Sequence, residues 1–157
     1  MKKRFIIGVD PDTDKCGVAI WSTEKFDFID IVSLPFWDLI WFLSNGVLIK
    51  DKKTAIHYNN FQENIFVRIE AGWLVEKSNF HEQSGALQRE KMAKNVGMNH
   101  EVGLLIEQYC IRYAIPHELI EPQGMKLKST AFRNITGWMS QTNQDNRDAA
   151  MLVFKYG

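Results

Sequence analysis

Only two cysteines, Cys16 and Cys110, occur among 157 residues. They lie far apart, form no CxxC pair and have no histidine at metal-ligand spacing, which excludes a disulfide framework and a zinc site. Charge of one sign is not in excess either: 19 Lys plus Arg balance 19 Asp plus Glu, so a uniformly basic molecule is excluded and any surface for a polyanion must be local. Long apolar runs are missing. The run that follows MKKRF ends at Asp10, too soon for a signal-peptide core. The most apolar stretch, PFWDLIWFL from Pro35 to Leu43, contains Asp38 and falls well below the roughly 20 residues of a membrane span. What remains is a chain with 45% apolar residues, enough for one sizeable core, and a single domain over residues 1–157 is expected.

The pattern of apolar residues predicts the elements. Arg4 to Val9 reads as a buried strand and Cys16 to Ser22 as a second, joined by the turn Asp-Pro-Asp-Thr-Asp, with Asp10 at the open end of the hairpin. Lys25 to Ser33 alternates apolar with acidic residues, the pattern of a third antiparallel strand with one wetter face. Pro35 opens a short helical or irregular aromatic segment whose Trp37 and Trp41 are expected in the core, with a subunit boundary as the alternative. Residues 46–64 show no periodicity and are assigned no element. Ile65 to Ile69 reads as a central strand delivering Glu70. From Ser84 to Pro116 the chain is helical, His117 to Ile120 is a fifth strand, Lys128 to Ile135 a short helix, and Asp145 to Tyr156 a last helix. The order gives an α/β fold: a mixed five-stranded sheet, its first three strands antiparallel, with helices on both faces.

Acids stand where these elements end: Asp10 after the first strand, Glu70 after the fourth, Asp145 and Asp148 at the start of the last helix. Ligand crevices of open α/β sheets lie beyond the carboxyl ends of strands, so Asp10 and Glu70 could face one crevice. Residues three apart on a helix share a face, so Asp145 and Asp148 project together. Four acids in one pocket repel unless cations neutralise them, and hard divalent ions with oxygen ligands are the natural answer. Mg²⁺, with Mn²⁺ substituting, fits such a donor set. Two ions per site would serve an in-line phosphodiester displacement.

IIGVDPDTDKCGVAI, VRIEAGW and NQDNRDAAMLVF, in this order, resemble three motifs of RuvC-like Holliday junction resolvases, members of the ribonuclease H-like nuclease superfamily. The resemblance implies a metal-dependent endonuclease resolving four-way DNA junctions, with Asp10, Glu70, Asp145 and Asp148 as metal-binding and catalytic acids. It also implies that Trp73 stacks into the opened junction and that Lys126 and Lys128 contact phosphate. Two departures stand out: Asp12 occupies the place of a family glycine, and the glycine-rich stretch usual before the second lysine is missing. A resolvase cuts two opposed strands, which makes a homodimer the expected assembly. The expected location is cytoplasmic, nucleoid-associated or virus-encoded in an infected cell.

Each residue also has a plainer reading. Asp10 alone would be a turn residue, Asp145 a helix N-cap, and Trp73 a lid on the core. Lys77, Arg89, Lys91 and Lys94 form a solvated face or a phosphate contact, Lys91 and Lys94 being the candidates for DNA. His57, His81, His100 and His117 read as surface or capped histidines. Asp10, Asp12 and Asp14 start like a calcium loop, but Lys15 and Trp21 stand where that loop needs Gly and Glu. Rival functions are an actin-like sugar kinase or ATPase, for which the chain lacks the length of a second domain, a ribonuclease H-like nuclease acting on RNA or unbranched duplex, and a non-catalytic junction-binding protein.

Overall fold

A computed structural model describes residues 2–75 and 85–157; Lys77 and His81 lie outside the described residues. β1 (Phe5–Asp10), β2 (Cys16–Ser22) and β3 (Asp27–Leu34) form an antiparallel meander. After α1 (Phe36–Asn45) comes a ribbon of β4 (Val47–Ile49) and β5 (Ala55–His57), then β6 (Ile65–Glu70), α2 (Ala86–Arg112), β7 (His117–Ile120), α3 (Ser129–Thr136) and α4 (Gln144–Met151). The main sheet has five strands in the order β3-β2-β1-β6-β7, with β1, β6 and β7 parallel. This is the expected mixed sheet. Among the described residues no helix is long and apolar enough to cross a membrane.

Both faces of the sheet are covered, which is why β1 and β2 read as continuous apolar runs rather than alternating ones. On one face Ile7, Val9, Val18, Ile20 and Val67 pack with Leu39, Phe42 and Leu43 of α1 and Ile106 and Cys110 of α2. On the other, Ile6, Ala19, Trp21, Phe28 and Ile31 pack with Phe132 of α3 and Ala149, Ala150 and Val153 at α4. Burying each such aliphatic or aromatic side chain contributes about 1.5–3 kcal/mol. Burial also pushes the thiols up, Cys16 to about 11 and Cys110 to about 12, and neither is in a disulfide.

Three expectations are corrected. Trp37 and Trp41 are 76% and 52% exposed, because Leu39, Phe42 and Leu43 occupy the inward stripe of α1 and residues 37 and 41 fall on the opposite side. Residues 46–64 hold the β4–β5 ribbon and a turn of 3₁₀ helix at Gln62–Asn64, strands of three residues being too short to show a period. The last helix ends at Met151 and starts from Asn143, not Asp145. The Asn143 side chain accepts from the Asn146 N–H and the Asn146 side chain from the Asn143 N–H, a reciprocal cap that places Asp145 inside the first turn.

Candidate metal centre

Strand parity aims the first two acids. Side chains alternate along a strand, so Asp10 shares the face of Ile6 and Gly8, and Glu70 that of Phe66 and Arg68. The last paired residues of these parallel neighbours are Val9 and Ile69; Asp10 and Glu70 follow on the next rung, both toward α4. Two glycines bring α4 down onto that face. A Cβ at Gly8 would fall 2.2 Å from the Ala149 carbonyl oxygen, and one at Gly17 2.1 Å from that of Asp145. Only a residue without a side chain allows such an approach. Asn146 then pins the helix to β3, donating to Val32 O at 2.9 Å and Ser33 Oγ at 2.8 Å.

Carboxylate oxygens of Asp10, Glu70 and Asp148 lie within 4.8 Å of one another. Asp145, one helical turn before Asp148, stands close enough for its charge to act on Asp10. Asp10 is therefore the acid on which Glu70, Asp145 and Asp148 all bear. Burial, then the charges of Glu70, Asp145 and Asp148, push the Asp10 carboxyl up to about 9, against the opposing pull of Lys126. Glu70 is raised by burial, with Lys126 opposing, and Asp145 by burial and the charge of Asp12. A cluster that holds its own acids up in this way favours a cation of high charge density, and its donors are all hard oxygens.

Lys126 reaches the same cluster from the segment after β7. Its ammonium forms ion pairs with Asp148 and, at 3.7 Å, with Glu70. Burial alone would lower its affinity for the proton, but the bond to Asp148 and the surrounding acids outweigh it and raise the group. Arg147 holds that segment in place: Nε donates to Leu127 O at 2.8 Å, Nη1 to Thr142 O at 2.9 Å and Nη2 to Gln144 Oε1 at 3.1 Å. Gln144 in turn donates to Asp148 at 2.8 Å.

Beside the acids opens a cleft of about 310 Å³ walled by Pro11, Trp73, Val96, Asn99 and His100. Trp73 sits in the 3₁₀ turn Gly72–Leu74 just after Glu70. Its half-buried ring packs against the first core and over Gly103 of α2, where a Cβ would lie 2.3 Å away. It is both a lid on the core and a wall of the cleft. Asp12, in the glycine's place, needs no left-handed backbone: its φ is not positive, and its Oδ2 accepts the Asp14 N–H at 3.1 Å.

Not every sequence candidate arrives here. Lys128 is the exposed residue preceding α3. Lys91 and Lys94 are exposed on α2, and Lys94, nine residues or two and a half turns from Gly103, faces the opposite way. Conversely, Asn99, His100 and Arg147 were not singled out for the site. His100, read as a surface or capped histidine, is half-buried in the cleft wall, edge-on to Trp73 with centroids 6.1 Å apart. One signal existed: Asn99, Gly103, Ile106 and Cys110 follow one another at helical spacing, so a polar residue continues an inward stripe.

No protein-family model matches the chain, and no curated protein matches it in sequence. Among solved structures its fold is similar to RuvC of Thermus thermophilus in complex with a Holliday junction substrate, with a TM-score of 0.55 and 12% identity over 96% of this chain and 90% of that one. A second Thermus thermophilus RuvC structure aligns with a TM-score of 0.47 and 11% identity, covering 96% and 92% of the two chains. At this identity the likeness concerns the fold, which is ribonuclease H-like.

Proposed function

We propose that this protein is a metal-dependent endonuclease that hydrolyses phosphodiester bonds in branched DNA and resolves Holliday junctions. The observation that carries the reading is the convergence of Asp10, Glu70 and Asp148 within 4.8 Å, with the charge of Asp145 also acting on Asp10, on a fold similar to that of a RuvC in complex with a Holliday junction substrate. The donor set suits Mg²⁺ or Mn²⁺. When bound, two such ions supply an activated water and neutralise charge on the leaving oxygen.

The residues divide the work accordingly. Asp10, whose carboxyl adjoins those of Glu70 and Asp148, would hold the ions together with these two acids and Asp145. Lys126, already bound to Glu70 and Asp148, brings positive charge to the point where the phosphate enters. Trp73 offers an aromatic face to a base unstacked at the branch. Lys128, Lys91 and Lys94 lie outside the cleft, where they would meet phosphates of the arms. Trp37 and Trp41, with Leu105 also exposed, supply apolar surface for a two-fold homodimer matching the two-fold junction.

Cleavage of a labelled four-way junction with Mg²⁺ or Mn²⁺, compared with flap, linear duplex, RNA and hybrid substrates, tests the reading. Junction-selective cutting that disappears in Asp10→Asn while binding persists is the expected result. Equal cutting of linear or RNA substrates would replace it with a general ribonuclease H-like nuclease. Binding without cutting would replace it with a junction-binding protein.

A further inference from the structure

Asn99 lies one turn before Gly103 and two before Ile106, on the stripe that α2 turns toward the sheet. At its level the core has ended, so the side chain lines the cleft with Asp10, Glu70, Trp73 and Lys126. Its orientation is decided by a donor that cannot accept: the Thr13 backbone N–H lies 3.1 Å from Oδ1. The oxygen must occupy that position, and Nδ2 with its two hydrogens is turned away from the turn. Nδ2 has no partner among the described residues.

Among the described residues, the other side chains that bring full charge to this opening are acids, or Lys126, which is engaged by Glu70 and Asp148. A neutral donor is the one polar group that can stand here without displacing a cation or repelling a phosphate. Thr13 belongs to the turn that begins directly after Asp10, so the bond that orients Asn99 also sets it in register with the central acid. We propose that Asn99 is a substrate-binding residue whose Nδ2 donates to a non-bridging oxygen of the phosphodiester entering the cleft; this rests on the nuclease reading above. The contact makes the site specific for a backbone phosphate in line with Asp10.

Two substitutions separate binding from scaffolding. Asn99→Asp keeps an oxygen for the Thr13 N–H and loses the donor, whereas Asn99→Met loses both. Anisotropy titration of a labelled four-way junction in EDTA, which needs no turnover, is expected to show affinity weakened about tenfold or more in both variants. Melting temperature, read at pH 4 or below, where an added acid is neutral to stability, should fall only in Asn99→Met, by about 2–4 °C. With Mg²⁺, the loss should appear in KM more than in kcat. Wild-type affinity in Asn99→Asp, or affinity that falls only where melting temperature falls, would reduce Asn99 to a structural link and overturn the proposal while leaving the nuclease reading intact. Failure of the wild-type protein to bind any branched or linear nucleic acid would overturn both.

Discussion

Replacing Asp10 by Asn should stabilise the metal-free protein, although it removes a carboxyl group from the centre of the site. In the folded chain the Asp10 carboxyl is pushed from its ordinary 3.8 to about 9 by burial and by Glu70, Asp145 and Asp148. Below pH about 4 both folded and unfolded states carry the proton, and the residue is neutral to stability. Between about 4 and about 9 the native state holds a proton that the unfolded chain has released, so stability falls as pH rises. Above about 9 the loss levels out. At about 1.36 kcal/mol per pH unit, the interval from 3.8 to 7 is worth about 4 kcal/mol. Asparagine imitates the protonated acid without that cost. Because Glu70 and Asp145 are raised as well and titrate with it, a gain of about 2–4 kcal/mol is expected at pH 7, or about 5–15 °C in Tm for a chain of this size. Saturating Mg²⁺ should reverse the order: the wild type gains about 3 kcal/mol at a hundredfold excess over Kd, and the variant far less. Thermal denaturation followed by circular dichroism at pH 4 and 7, in EDTA and in Mg²⁺, measures all four states. An Asp10→Asn protein no more stable than wild type in EDTA at pH 7, or equally favoured at pH 4, would refute the electrostatic account of the cluster.

Gly17→Ala should cost about 3 kcal/mol by denaturant titration and abolish cutting, since its Cβ meets the Asp145 carbonyl at 2.1 Å and forces α4 away. Arg147→Ala should release the Lys126 segment: faster amide exchange over residues 121–128, a loss of about 2 kcal/mol in stability, and slower cleavage with Mg²⁺ affinity retained. Unchanged exchange there would remove Arg147 from its positioning role. Trp73→Ala should weaken junction binding by about 1–3 kcal/mol and linear-duplex binding far less, read by competition titration. Equal losses on both would make the ring a core residue alone.

Local pattern carried much of the fold. The strands 5–10, 16–22 and 65–70 are short, largely apolar runs closed by turn residues or acids, and such runs announce themselves because a buried strand needs apolar groups on both faces. The helix 86–112 likewise follows from its spacing up to Pro116. The ribbon within residues 46–64 was not legible: β5 is exposed throughout, so no burial pattern marks it. The tryptophans of α1 were misplaced for a related reason. In PFWDLIWFL almost every position is apolar, and composition alone cannot say which stripe turns inward.

From the order of residues alone came an acid at the end of each of two buried strands and a pair of acids one helical turn apart, because strand ends and helix spacing are consequences of local geometry. That Glu70 and Asp148 close on Asp10, that Lys126 stands among them, and that Asn99 and Arg147 adjoin the site, were decided only by tertiary packing. These relations join residues about 20 to 140 positions apart, and they depend on how closely α4 can seat at Gly8 and Gly17, a distance that no run of neighbouring residues encodes.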